Sequence, residues 1–484
     1  MNIKPVLLLA LVLALFMRGW QAKERFYYAH DNDLAGWIVK DIVVDGHLRL
    51  IGQQTSAVGI FIGPLFYYSL IPFYLLANMD PAGSLMYSIL IGLAAVASIY
   101  YVVNKVFGSS SAGFAALLYA GSELIAKTER EVVPTTGVML WSIWFFYAVF
   151  LVFKGQKSGL LLAAVLLSLV WHLNLALVLL SPLILLGIFY SKMYNLKFFV
   201  APLIVFLVLS APLFSFETRH NFIQSRALQN SIFSLADSSE TAVFLSQKIS
   251  HVVVYAQKNI THIFLTQGFD FSLSLLPVIL VALFIRLITK KLIPSYFAPV
   301  FIGWMFLFVI FFALHPINLS EYYLNGMNIF WVIIASVSLA KLFPKYLAWV
   351  LTGLFVLLNL SYFISSPINA NGYIQKKALV DYISRDAASH NYPCISVSYI
   401  TDPGYNLGYR YFFFLKNLHV NQPSSGSPVY SIVFPHQIVD KIDKSFGALG
   451  LVLPDYSRYD QDMVIDSCSG QNSNLTDPMF GFTK

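Results

Sequence analysis

Charge is what this sequence has least of. Only 11% of its 484 residues are Asp, Glu, Lys or Arg, against about 25% in soluble domains. That deficit excludes a water-soluble globular protein. Cysteine is scarcer still, with two residues, Cys394 and Cys468, both near the C-terminus. No CxxC or Cys/His spacing remains to suggest a metal centre. The two thiols are able to pair in an oxidising exterior, but spacing alone does not decide whether they meet. A basic stripe with interleaved aromatics is also missing. The net charge of +7 sits in short loops between apolar runs, so nucleic acid is not an expected partner. The first apolar run lacks a small-x-small cleavage site and is followed by Arg18 and Trp20, which reads as a retained span rather than a removed signal. There is no long-period repeat and no low-complexity tract.

What the sequence does have is apolar length: 57% of its residues are hydrophobic. Runs begin near Val6, Ala82, Ser111, Pro134, Gly159, Asn174, Phe198, Ser272, Tyr296, Tyr322 and Tyr346. They predict a polytopic α-helical membrane protein of about eleven spans. The stretch from 159 to 190 is interrupted only by "WHLN" (Trp171 to Asn174) and reads as two short or tilted helices. Every second loop holds lysine: Lys105, Lys154 and Lys157, Lys192 and Lys197, Lys290 and Lys291, Lys341 and Lys345. Positive charge stays cytoplasmic, so the N-terminus is expected inside and the C-terminal region outside. "GPLFYYSLIPFYLLAN" (Gly63 to Asn78) would invert this order if it crossed, and is therefore read as a re-entrant or interfacial outer helix.

Two units follow. Residues 1–362 form the multi-pass domain, with outer loops 21–80 and 215–270. Residues 363–484 form a soluble extracytoplasmic domain of small α/β type. It contains "KALVDYISRDAAS" as a helix, "CISVSYI", "SIVFPHQ" and "GALGLVLP" as strands, and "YRYFFFLKNL" as either.

Polar residues gather in the acid-, His- and aromatic-rich alternate loops. Asp31 and Asp33 stand just outside the first span. Asp33 is placed to cap the following helix; Asp31 has no such structural reason and is a candidate base. Glu129 and Arg130 are either an interfacial ion pair or a phosphate contact, since Arg binds phosphate through two parallel hydrogen bonds. Glu217, Arg219 and His220 ("FETRH") are either a helix-terminal salt bridge or a phosphate site. His172 is either a satisfied junction histidine or a ligand contact. Glu321 heads a late apolar run beside Tyr322 and Tyr323, themselves readable as interfacial anchors.

The order of these elements resembles the opening of the GT-C superfamily of membrane glycosyltransferases. The likeness is greatest to the family-39-like group, which includes protein O-mannosyltransferases and lipid A aminoarabinose transferases. There, an Asp-containing first outer loop leads a juxtamembrane helix, and an "HPPLYY"-like segment follows. Here "GPLFYY" stands in its place, with Pro64, Leu65 and Tyr67 matching; the family's His and second Pro have no counterpart. "KTEREVVPTT", "PLFSFETRHNF" and "HPINLSEYY" continue the ordered set over roughly residues 1–340. The resemblance implies a GT-C-like fold and transfer of a sugar from a polyprenyl-phosphate donor to a lipid, glycan or protein acceptor on the outer face, by inverting displacement. It implies Asp31 as the catalytic carboxylate, with Asp33 as the fallback. With such a donor, the polar residues singled out above, Arg130, Glu129, Arg219, His220, Glu217, His172 and Glu321, become candidate donor contacts, and Tyr67 joins them through its match to the family segment. A divalent metal is used by some relatives and not by others, so no cofactor is assigned. Every candidate precedes Phe363, so the C-terminal domain is expected to be dispensable for the chemical step. The competing readings are a lipid or sugar transporter without transferase activity, for which inverted halves would be expected, and a non-catalytic assembly or receptor protein.

Overall fold

The computed structural model describes residues 3–55, 58–234, 241–314, 321–470 and 472–473. Four helices are long and apolar enough to cross a bilayer: Pro81–Phe107, Pro134–Phe153, Tyr323–Leu342 and Lys345–Ser365. Lys197–Leu209 and Ala211–Arg219 together form a fifth candidate, bent by 55° where Pro212 removes a backbone donor. Most other apolar runs give shorter helices: Pro5–Gly19, Leu65–Leu76, Lys157–Leu173, Leu175–Ser191, Leu276–Thr289 and Phe297–Ala313. The polytopic helical class thus holds, but span length is set by local breakers that run-counting ignores. At "WHLN", for example, Asn174 ends one helix and its side chain accepts the Ala176 N–H at 3.0 Å to open the next.

Leu65–Leu76 has twelve residues, about 18 Å of helix, too short to cross. It buries Phe66, Tyr67, Leu70 and Tyr74 in a core shared with the juxtamembrane helix His30–Val43.

One buried ion pair ties the first helix into the bundle. Arg18 Nε donates to Glu129 Oε2 at 2.6 Å, and the Tyr119 hydroxyl donates to Glu129 Oε1 at 2.5 Å. A buried charge left without its partner is costly, so such a pair fixes register. Gly92 makes the space: a Cβ there would lie 2.3 Å from Arg18 Nε.

The C-terminal region is an α/β layer. Its strands are β1 (Cys394–Thr401), β2 (His419–Asn421), β3 (Val429–Phe434), β4 (Lys444–Phe446) and β5 (Leu449–Val452), in the order β2-β1-β3-β5-β4. β1 runs parallel to β2 and β3, while β5 is antiparallel to β3 and β4. Helix Tyr373–Ser389 covers the sheet, burying Leu379, Val380 and Ile383. Cys394 and Cys468 are joined in a disulfide with a Cα–Cα distance of 5.6 Å, which answers the question that spacing left open.

This layer is not a separate body on a tether. Its Tyr373, Tyr411, Phe412 and Phe413 share one hydrophobic core with Phe26, Tyr28, Trp37, Ile38 and Tyr74 of the membrane-proximal elements. Gly36 permits the closest approach, because a Cβ there would meet the Tyr411 ring at 2.8 Å.

Candidate active site

The juxtamembrane helix starts at His30, one residue after its cap. Ala29 is that cap, and its N–H donates to the Asn32 side chain at 3.0 Å. Asp33 is therefore not the capping residue that the sequence suggested. It lies a turn in, 4% exposed, and accepts two hydrogen bonds: from the Tyr28 hydroxyl at 3.2 Å and from the Tyr411 N–H at 3.1 Å. Burial raises its pKa to about 6, against the opposing pull of those two donors and of Lys376 and Arg410. Asp33 is thus a fastening between the helix and the C-terminal layer.

Asp31 is different. It is half-buried, and its Oδ1 accepts one hydrogen bond, from Gln53 Nε2 at 3.1 Å. Gln53 is itself held by Tyr67, whose hydroxyl donates to Gln53 Oε1 at 3.0 Å and accepts the Gln53 N–H at 3.2 Å. "GPLFYY" therefore reaches Asp31 through one glutamine. The loop carrying Gln53 is braced from behind: Gln54 and Phe61 bridge, the Phe61 N–H donates to Gln224 Oε1 at 2.8 Å, and Phe61 packs edge-on against Phe216.

A second carboxylate stands beside Asp31. Asn32 Nδ2 donates to the Val132 carbonyl at 2.8 Å, which sets the chain neighbours Asp31 and Glu131 alongside one another. Glu131 is exposed, yet burial raises its pKa; Lys127 opposes the rise and the charge of Asp31 adds to it. Glu131 was not singled out from the sequence, where "ERE" drew notice to the two residues before it. Gln53 carried no signal at all.

The other candidates divide by what already occupies them. Glu129 is held by Arg18 and Tyr119. Arg130, 9% exposed, donates through Nη2 to the carbonyls of Trp20 and Gln21 at 3.3 Å each, a cation at the C-terminal end of the first helix. Glu217 caps helix Ile223–Ser234, accepting the N–H groups of Gln224 at 3.2 Å and Ser225 at 3.0 Å and the Ser225 hydroxyl at 2.6 Å. His172 Nδ1 accepts the Leu65 N–H at 3.3 Å, locking "WHLN" onto "GPLFYY". His220 stacks on Phe216 at 4.1 Å. Arg219 is exposed on the helix that carries Phe216. Glu321 opens the short helix Glu321–Met327; its side chain, like residues 315–320, lies outside the described residues. Among the described residues no group of three or more His, Cys, Asp or Glu gathers as a metal site would require.

Against known proteins, no family model matches, and no curated protein does. Two solved structures match in fold. ArnT from Cupriavidus metallidurans bound to undecaprenyl phosphate has a TM-score of 0.60 at 11% identity, over 94% of this chain and 98% of that one. The apo state of ArnT gives a TM-score of 0.57 with the same identity and coverage. The GT-C-like fold expected from the order of the loops is the fold found.

Proposed function

We propose that the chain, with its GT-C-like fold, is a glycosyltransferase that takes a sugar from a polyprenyl-phosphate donor. Transfer occurs at the outer membrane face, to a lipid, glycan or protein acceptor. The observation that carries the reading is Asp31: a half-buried carboxylate with a single glutamine partner, in a chain whose fold matches a protein solved with undecaprenyl phosphate.

The acceptor hydroxyl or amine attacks the anomeric carbon, the bond from that carbon to the phosphate oxygen breaks, and configuration inverts. Polyprenyl phosphate departs as a stabilised anion and needs no acid. The acceptor proton passes to Asp31, a step that typically supplies 10²–10⁴-fold in rate. Tyr67 and Gln53 hold Asp31 for that step. Asp33, buried and bonded to Tyr28 and Tyr411 through Oδ1, is less suited to it. Arg219 is favoured over Arg130 for the donor phosphate, because Arg130 is already engaged with the end of the first helix. Glu129, Glu217 and His172 serve as supports that hold the loops, and Glu321 is kept as a candidate donor contact because it heads an apolar run. An N-terminus inside and a C-terminal layer outside suit this chemistry, and the Cys394–Cys468 disulfide favours an oxidising exterior for that layer.

The test is an in vitro transfer assay with a panel of polyprenyl-phosphate hexoses and pentoses, comparing wild type with Asp31→Asn and Arg219→Ala. Asp31→Asn should lose turnover and Arg219→Ala should lose donor affinity. A wild-type protein that transfers nothing from the panel, or that moves the intact lipid between leaflets instead, would overturn the reading in favour of a transporter.

A further inference from the structure

The C-terminal layer reaches toward Asp31 with one loop. β1 ends at Thr401, and the chain returns to helix Arg410–Leu415 through residues 402–409. This loop leaves the carboxyl end of a parallel strand pair, the edge where open α/β sheets place their ligands. Gly408 has φ +89°, and a Cβ there would stand 3.3 Å from the Ala29 carbonyl carbon and 2.7 Å from Lys376 Nζ. The loop therefore abuts the backbone two residues before Asp31. Lys376 Nζ donates to the Leu407 carbonyl at 2.9 Å, and the Asp33–Tyr411 hydrogen bond fixes the start of the following helix.

Tyr405 sits at the tip of this loop. Its ring is backed by Phe434 at 4.6 Å, and Phe434 is the last residue of β3, at the same carboxyl edge. Tyr405 is 39% exposed, and Tyr27, on the membrane-domain side, is 52% exposed. Among the described residues neither hydroxyl has a protein hydrogen-bond partner. The pKa of Tyr27 is raised first by burial, then by Tyr405 and Glu131, which therefore lie within electrostatic reach of it.

We propose that the loop 402–408 walls the transfer site beside Asp31 and that its Tyr405, together with Tyr27, is a binding residue for the sugar of the donor. This rests on the transferase reading and deepens it. Rigid aromatic rings with a polar tip present a flat apolar face and a hydrogen-bonding hydroxyl, and a pyranose or furanose ring offers the complementary C–H face and hydroxyl rim. Asp31 and Glu131 supply acceptors on the membrane-domain side. The C-terminal layer, expected from the sequence to be dispensable for the chemical step, then contributes to sugar choice.

Two measurements on the full-length protein in nanodiscs test this. The first places Cys at positions 27 and 405 together. The native cysteines are both in the disulfide, so a short bismaleimide should bridge only the new pair, and the bridged protein should no longer bind the sugar donor. Absence of a bridge, or a bridge with donor binding intact, refutes the wall. The second measures binding of undecaprenyl-phosphate sugars against bare undecaprenyl phosphate. Tyr405→Ala should weaken sugar-donor binding by roughly 3- to 10-fold, the worth of an aromatic contact, and leave bare-carrier binding unchanged. Tyr405→Phe should recover most of the loss. Equal loss for sugar donor and bare carrier, or no loss for either, refutes the sugar contact. If wild type prefers none of the sugar donors over bare carrier, the transferase reading itself fails, and the sugar contact with it. If wild type discriminates and Tyr405→Ala discriminates equally, only the inference fails.

Discussion

Docking of the C-terminal layer onto the juxtamembrane helix should tighten as pH falls, and Asp33 should be the reason. When docked, Asp33 is buried and its pKa stands near 6; in the open state it returns to the ordinary 3.8. Between those values the docked state binds the extra proton. Docking stability is therefore gained as pH falls through about 6 and lost as pH rises through it. In full the gap is worth about 3 kcal/mol. Between pH 7 and pH 5 it delivers about 1.3 kcal/mol, roughly tenfold in the docked-to-open ratio. The groups facing Asp33 do not mask this slope. Burial lowers the pKa of Lys376 only to about 8, so it stays charged across the window. Tyr28 and Tyr411 are held above their ordinary range. Hydrogen exchange over residues 373–415, corrected for the intrinsic pH dependence, should show about tenfold greater protection at pH 5 than at pH 7 in wild type. Asp33→Asn keeps acceptors for both donors and should abolish the difference. Asp33→Leu leaves the Tyr28 hydroxyl and the Tyr411 N–H without their acceptor and should open the interface at both pH values, a cost of about 1–3 kcal/mol for each donor left unpaired. A wild-type slope that persists in Asp33→Asn would refute the reasoning.

Two further outcomes follow from packing. Gly92→Ala drives a methyl into the Arg18–Glu129 pair and should destabilise the bundle by about 3–5 kcal/mol, the cost of breaking a buried pair; thermal unfolding in detergent reads it, and an unchanged midpoint would mean that the pair is not fixed as described. Glu217→Ala removes the cap of helix Ile223–Ser234 and should cost about 1–2 kcal/mol, seen as faster exchange of the Gln224 and Ser225 amides with donor affinity unchanged.

Periodicity and loop order carried much of this picture. Apolar runs separated by lysine loops specify helices in a bilayer, and the sequence of outer-loop motifs pointed to the GT-C-like fold. Three of the five strands of the C-terminal layer, β1, β3 and β5, were visible as short apolar runs, while the three-residue strands β2 and β4 were not. What stayed hidden was partnership across the chain. Asp33 looks like a helix cap because its local context is a helix start; its actual partner, Tyr411, lies 378 residues away. Glu129 and Arg130 look like phosphate ligands because charge near a bilayer is unusual, yet their partners, Arg18 and the end of the first helix, lie more than 100 residues upstream. Glu131 was passed over because a single acid after a helix resembles an ordinary surface residue until Asn32 is seen to pin Val132. The docking of the C-terminal layer was illegible for a related reason: Tyr, Phe and Gly36 read as generic core until the two faces are brought together.

The central claim is that Asp31 takes the acceptor proton. Asp31→Asn preserves size and the contact with Gln53 but removes basicity. With the full-length protein and a polyprenyl-phosphate sugar that wild type uses, turnover should fall by about 10²–10⁴-fold, roughly 3–5 kcal/mol of barrier, while donor affinity stays near wild type. Asp33→Asn, measured in parallel at neutral pH, should retain most of the turnover. Wild-type turnover in Asp31→Asn would contradict the account, whatever Asp33→Asn does.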